Sequence, residues 1–194
     1  MGFSDEKRNA VGAFLKDHLD LVLKNVGLAK LYCTSLEHKD AILILEQLLS
    51  EKGASLPKEE LDKLRWTLAF HYEESGNSDK AISLYRLATN FQDKEALTTF
   101  LGIIRKMKGN PAAYREALRL LAENGETLAT LYGIACECLF NDLGADRLRY
   151  LKKAVVIAPN DYEVCDDLAF VYHILGQEEE SAYWYKKAAL LAGA

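Results

Sequence analysis

Proline is nearly missing, with three residues in 194. So little proline excludes a collagen-like, mucin-like or proline-rich chain. Cysteine is scarce too: Cys33, Cys136, Cys138 and Cys165 are too few and too unevenly spread for a disulfide framework. A chain long enough to bury its own core does not need one, and a reduced cytoplasmic setting is expected. Basic charge falls short of acidic, 24 against 29 residues for a net -5. A general nucleic-acid binder is therefore not expected, because phosphate binding needs a basic surplus. Long apolar runs are absent as well. No run exceeds five residues, Ala41-Ile-Leu-Ile-Leu45 among them, far short of the roughly 18 that suggest a membrane span. The start, Met1 to Arg8, lacks the apolar stretch of a secretory signal. Glu6 stands where a myristoylation signal carries its hydroxyl.

What is present is apolar and evenly charged. Apolar residues make up 49% of the chain, which excludes an intrinsically disordered protein. The length suits one ordinary domain or one short repeat array. Internal spacing chooses between the two. Leu68-Ala69-x-x-Tyr72-x-x-x-Gly76 returns as Leu168-Ala169-x-x-Tyr172-x-x-x-Gly176. Leu28-Ala29-x-x-Tyr32 repeats its first half, and Ile134-Ala135-x-x-Cys138 is a weaker copy 34 residues before Leu168-Ala169. A second pattern follows each copy. Ala81-x-x-x-Tyr85-x-x-Ala88 matches Ser181-x-x-x-Tyr185-x-x-Ala188, with Arg147-x-x-x-Leu151-x-x-Ala154 and Ala41-x-x-x-Leu45-x-x-Leu48 as looser forms.

Each unit reads as two helices joined at a Gly or polar cluster: Ser75-Gly76-Asn77, Gly109-Asn110-Pro111 or Leu175-Gly176-Gln177. Small residues (Ala29, Ala69, Gly102, Ala135, Ala169) mark expected close approaches between helices. Tyr32, Tyr72, Tyr85, Tyr172 and Tyr185 are expected to fill the spaces beside them. Residues 5–20 read as an additional amphipathic helix with Val11, Phe14, Leu15 and Leu19 on one face.

This pattern resembles the tetratricopeptide repeat, a 34-residue helix–turn–helix unit with small and aromatic residues at fixed offsets and a closing proline such as Pro159. The resemblance implies an all-α fold, a right-handed helical-hairpin solenoid of about five TPR-like units plus an N-terminal helix over residues 1–21. The expected units are 22–55, 62–95, 95–127, 128–161 and 162–194. The third is degenerate: Arg105 takes the slot of the first aromatic.

Several residues invite a chemical reading. Cys136-Glu-Cys138 with Cys165 and His173 could suggest a metal site. Helical neighbours two apart point about 200° away from each other, so the better reading is buried apolar cysteine and no metal. His18, His38, His71 and His173 are scattered, and no nucleophile–base pair or other enzyme motif emerges. Catalysis and cofactors are therefore not expected. Arg147, Arg149, Lys152 and Lys153 place four positive charges on one helix, and acidic residues crowd Asp161 to Asp167 and Glu178 to Glu180. These read as solvated faces and helix-dipole partners, with a basic docking patch as the alternative.

Arrays resembling this repeat bind peptides or helices in a groove lined by the first helix of each unit. By helical angle the groove residues are Val26, Lys30 and Cys33; Trp66, Phe70 and Glu73; Thr99, Ile103 and Lys106; Tyr132, Cys136 and Leu139; and Asp166, Phe170 and His173. One subgroup of the family grips a C-terminal carboxylate with Lys, Asn and Arg. Those slots hold Val26, Lys30, Thr67, Phe70 and Thr99 here, so the clamp is not expected. The expectation is a mostly apolar aromatic groove built on Trp66, Phe70, Ile103, Tyr132 and Phe170. Its owner would be a noncatalytic adaptor or chaperone-like protein that holds an apolar or amphipathic peptide segment, without nucleic acid or membrane. The alternative is a scaffold that self-associates through its ends. The apolar finish Ala188-Ala-Leu-Leu191-Ala is unlike a polar solenoid cap and suggests a homodimer contact or a longer parent chain.

Overall fold

Glycine and proline divide the chain near the sequence's expected helix boundaries. The computed structural model describes residues 37–193. Val26, Lys30, Cys33 and the amphipathic stretch 5–20 lie outside the described residues. Nine α-helices and no strand occur among the described residues. In chain order they are α1 (His38–Lys52), α2 (Lys58–Glu74), α3 (Ser78–Ala88), α4 (Lys94–Lys108), α5 (Asn110–Asn124), α6 (Leu128–Leu139), α7 (Gly144–Ile157), α8 (Tyr162–Ile174) and α9 (Glu178–Ala192). A short 3₁₀ turn, Gly53–Ser55, follows α1.

Gly76 and Gly176 make the same turn, with φ of +80° and +70°, a conformation that side-chain-bearing residues rarely adopt. In both turns the amide two residues before the next helix's second position reaches back: Asn77 N–H donates to Tyr72 and Gln177 N–H to Tyr172. Pro57 precedes α2 and Pro159 falls between α7 and α8. Side-chain caps start other helices. Asp93 accepts from the Ala96 amide at 2.8 Å and Asp161 from the Val164 amide at 3.1 Å. Thr127 and Thr130 cap α6 reciprocally. Each such cap contributes about 1 kcal/mol.

The chain forms two compact bodies, one through Thr89 and one from Asn90. In the first, α2 packs on both α1 and α3. Ala41, Leu45, Leu64, Leu68 and Ala69 are essentially inaccessible between them. An open cleft of about 560 Å³ separates α1 from α3, floored by Leu49, Leu68 and Leu84. At its rim the Tyr72 hydroxyl donates to Glu46 and accepts from the Lys80 ammonium at 2.8 Å. The Tyr72 hydrogen bond is the main reason the Glu46 carboxyl is held below its ordinary pKa.

In the second body α4 packs on α5 and α6, and then α6 on α7, α7 on α8 and α8 on α9. Phe100, Leu101, Leu131, Ile134, Leu151 and Leu168 fill its core. The close approach of α4 to α6 is made at Gly133, where an added Cβ would run into the Leu97 side chain and lie 3.2 Å from Leu101 Cδ1. Gly102 was expected at such a contact. Among the described residues an added Cβ there would meet no other helix, only Arg105 Nη2 of α4 itself at 3.6 Å. Ala69, Ala135 and Ala169 are fully buried. Tyr85 and Tyr185 part company: Tyr85 is 3% exposed and Tyr185 41%. The reason is that α9 packs mainly on α8, which leaves one side of Tyr185 uncovered.

Candidate peptide-binding surface

The first helices of the hairpins carry the expected groove positions, and their exposure follows a sharp angular pattern. On α2, Phe70 is 47% exposed while Ala69 and His71 on either side are 0% and 3%. On α8, Phe170 is 39% exposed between Ala169 at 0% and Val171 at 1%. Leu139 is exposed next to fully buried Cys138. An apolar side chain left in water between two buried neighbours places it on a face that the fold itself does not cover.

In the first body Trp66 is half-buried, with its ring 4.5 Å from that of Tyr85 in an edge-on contact. Glu73, also half-buried, accepts the Tyr85 hydroxyl at 3.0 Å. Burial, seconded by Glu73, pushes the Tyr85 phenol above its ordinary pKa. Phe70 meets the His71 and His38 rings edge-on at 5.4 and 6.2 Å. His38 and His71 share a hydrogen bond between their Nδ1 atoms at 3.1 Å, joining α1 to α2. Burial first, and His38 second, depress the His71 pKa.

In the second body three first helices, α4, α6 and α8, present Ile103, Tyr132, Cys136, Asp166 and Phe170, together with exposed Thr99, Lys106, Leu139 and His173. Charged side chains cross this surface in two rows. In the first row, Lys94 at the start of α4 reaches Asp161 at 2.7 Å and Glu163 at 2.5 Å, passing 4.9 Å from the centre of the Tyr132 ring. Burial opposes the charge on Lys94, but the hydrogen bonds to Asp161 and Glu163 outweigh it and hold its pKa above the ordinary value. The ion pair thus ties the start of α8 to the start of α4 across Tyr132 of α6.

Deeper along the same face the Tyr132 hydroxyl hydrogen-bonds Asp167, which accepts from Arg147 Nη2 at 2.7 Å. Arg147 is only 3% exposed, and its guanidinium lies 5.4 Å from the Phe170 ring centre. Burial raises the Asp167 pKa, and Arg147 and Tyr132 oppose that rise. Burial pushes the Cys136 thiol up to about 12, with Asp167 adding to the effect. Cys138 is likewise raised to about 11 by burial. Such thiols are poor nucleophiles and poor metal ligands at neutral pH. No group of three or more metal-ligating side chains occurs among the described residues.

The second row explains the irregular third repeat. Arg105, in the aromatic slot, pairs with Glu137 at 2.5 Å and stacks 3.7 Å from the centre of Phe140. Glu137 is 1% exposed. An ion pair thus stands at the repeat position held by Tyr72 and Tyr172 in the second and fifth repeats. Burial raises the Glu137 pKa, and Arg105 only partly counters it.

Sequence reasoning located Tyr132, Cys136, Asp166 and Phe170 on one surface but missed Lys94, Asp161, Glu163, Arg147 and Glu137 as members of it. Asp161 and Glu163 were read as solvated charge. Their only local signal is the position of Asp161 just before an apolar-periodic segment. The surface is consequently more charged than the mostly apolar groove expected.

No protein-family model matches the chain, and no curated protein is detectably similar in sequence. Solved structures are similar in fold. One crystal structure of MamA has a TM-score of 0.55 at 16% identity, covering 80% of this chain and 89% of that one. MamA of AMB-1 has a TM-score of 0.54 at 18% identity, covering 96% and 94%. MamA of MSR-1 has 0.53 at 16% identity, covering 91% and 98%. MamA is a TPR-like protein, so the all-α, helical-hairpin solenoid class expected from the repeats is the class these neighbours share. No helix among the described residues is long and apolar enough to cross a membrane.

Proposed function

We propose that this protein is a noncatalytic interaction module of tetratricopeptide type that holds an amphipathic peptide segment of a partner protein against its first-helix faces. The observation that carries this reading is the angular pattern on α2 and α8. Phe70 and Phe170 stay 47% and 39% exposed while their immediate neighbours are buried. Exposed aromatics on a rigid, periodic scaffold are the side chains that most often anchor a partner. The fold likeness to TPR-like MamA supports a protein-interaction or scaffold role. Cys136, the thiol on this face, is raised by burial, which argues against nucleophilic chemistry there. The array divides at the repeat boundaries into the five units read from the sequence, and the protein works in the cytoplasm.

The test is capture from a lysate of the source organism on immobilised protein, with wild type beside a Phe70→Ser/Phe170→Ser variant. Both side chains are partly in water, so the variant is expected to keep its helical circular dichroism. Proteins held by wild type and lost by the variant support the reading. Equal capture by both overturns it. A self-associating scaffold is the second reading, favoured by the exposed Tyr183 and Leu190 of α9, at 60% and 69%. Light scattering that shows larger particles at higher concentration would favour it.

A further inference from the structure

We propose that Asp161, Glu163 and the ring of Tyr132 form a cage for a lysine or arginine side chain of the partner, and that Lys94 occupies this cage until the partner arrives. The inference rests on the peptide-binding reading above and adds the charge the peptide must carry. The cage is seen with an ammonium already in it. Lys94 Nζ donates to both carboxylate oxygens of Asp161, at 2.9 and 2.7 Å, and lies 2.5 Å from Glu163. Tyr132 offers its ring face at 4.9 Å. Two carboxylates and an aromatic face suit an ammonium with three donors, and they suit a guanidinium equally.

The walls of the cage do not need Lys94 to stand. Asp161 is fixed as the cap of α8 by the Val164 amide. Tyr132 is fixed by α6, which has its own reciprocal cap at Thr127 and Thr130. Lys94 alone comes from a third element, on a flexible four-carbon stem at the first residue of α4. Negative charge also exceeds what this face neutralises. Asp167 is matched by Arg147, while the adjacent half-buried Asp166 makes no ion pair among the described residues.

Exchange of one ammonium for another is close to neutral in electrostatic terms. The gain comes from the apolar contact that accompanies it. Phe170 lies on the same face of α8 as Glu163, seven residues and two turns further on, or ~10 Å. The fitting partner is therefore an amphipathic helix with a basic residue about two turns from a large apolar one. Lys94 makes the surface selective by competition. Affinity falls by the fraction of time the cage is closed, so only a segment offering both the cation and the apolar anchor displaces it.

The probe is a fluorescent model helix of leucine and lysine, beside a counterpart with glutamine in place of every lysine, followed by anisotropy. Lys94→Met keeps the stem and removes the charge. It is expected to bind the leucine–lysine helix about tenfold more tightly than wild type does and the glutamine helix unchanged. Adding Glu163→Gln should return the affinity to the wild-type level. Unchanged or weaker leucine–lysine binding by Lys94→Met overturns the cage, as does equal binding of both helices by every form. Failure of both helices to bind any form overturns the peptide-binding reading itself, and the cage with it. A measurement on the unsubstituted protein covers loss of folding in the variant. The dimethylated Lys94 methyl resonance should move on addition of the leucine–lysine helix and stay fixed with the glutamine helix. A resonance that ignores both overturns the proposal.

Discussion

Replacing Arg105 by alanine strips the partner from a carboxylate that the fold has almost completely removed from water. Glu137 is 1% exposed, its Oε1 receives Arg105 Nη1 at 2.5 Å, and its Oε2 has no hydrogen-bond partner among the described residues. Breaking a buried ion pair by removing one member costs about 3–5 kcal/mol. The Arg105 side chain is itself 26% exposed, so water can enter where it stood, and the lower end, about 3 kcal/mol, is expected. Lost stacking on Phe140 is included in that figure. Stabilities of ordinary domains are about 5–15 kcal/mol, so the change is large enough to read from urea unfolding followed by circular dichroism.

The pH dependence identifies the cause. Burial raises the Glu137 pKa above its unfolded value, and loss of Arg105 raises it further. An acid of this kind contributes stability that is complete below the unfolded pKa, about 4.3, and is lost as pH rises through the folded one. The deficit of Arg105→Ala should therefore shrink as pH falls from 7.5 toward 5. Glu137→Gln in the same chain should recover part of the loss. A deficit under about 0.5 kcal/mol, or one that does not vary with pH, would refute the account of the third repeat.

Other perturbations test the packing and the titrating groups. Gly133→Ala drives a methyl into Leu97 and is expected to destabilise by about 1–3 kcal/mol. Gly102→Ala, whose Cβ would make only an ordinary contact with the flexible Arg105 side chain, should stabilise by about 0.5–1 kcal/mol through helix propensity; differential scanning calorimetry separates the two, and equal effects would contradict the assigned contact. Burial and His38 depress the His71 pKa, so its contribution is present above the unfolded value of about 6.5 and lost as pH falls below it. The difference in Tm between wild type and His71→Phe should accordingly narrow from pH 8 to pH 5.5, and a constant difference would count against the buried, depressed His71 imidazole. In a Cys33→Ser background, Cys136, Cys138 and Cys165 should resist an aromatic disulfide reagent at pH 8 until urea is added, because burial raises all three thiols. Rapid reaction of the folded protein would contradict that environment.

The architecture was readable because its signals are local and repeated. Leu68-Ala69-x-x-Tyr72 and Leu168-Ala169-x-x-Tyr172 carry the helix period and the small–large alternation, and Gly76 and Gly176 mark the turns. Gly102 and Gly133 show the limit of that reading. Both are glycines inside first helices, but among the described residues only Gly133 meets another helix, and which face a glycine serves depends on the helix opposite. Tyr185 follows the pattern of Tyr85, and burial still separates them, because burial belongs to the covering element. The surface was half legible for the same reason. Helical angle marked Phe70 in the first body, and Tyr132 and Phe170 in the second, as positions left exposed or half-exposed. The Lys94–Asp161 and Arg105–Glu137 pairs join residues 67 and 32 apart in sequence. Apart from the cap position of Asp161, nothing local distinguishes their charges from solvated ones, because the partners come from other helices.

The central claim, that first-helix aromatics hold a partner, is tested most directly by the affinity of a captured partner for Phe170→Ala beside Val156→Ala. Phe170 is 39% exposed on α8, a first helix; Val156 is 80% exposed on α7, a second helix. Phe170→Ala should weaken binding by about 1–3 kcal/mol, roughly 5- to 150-fold, with circular dichroism unchanged, and Val156→Ala should leave it alone. Equal affinity for wild type and Phe170→Ala, or a loss confined to Val156→Ala, would contradict the account.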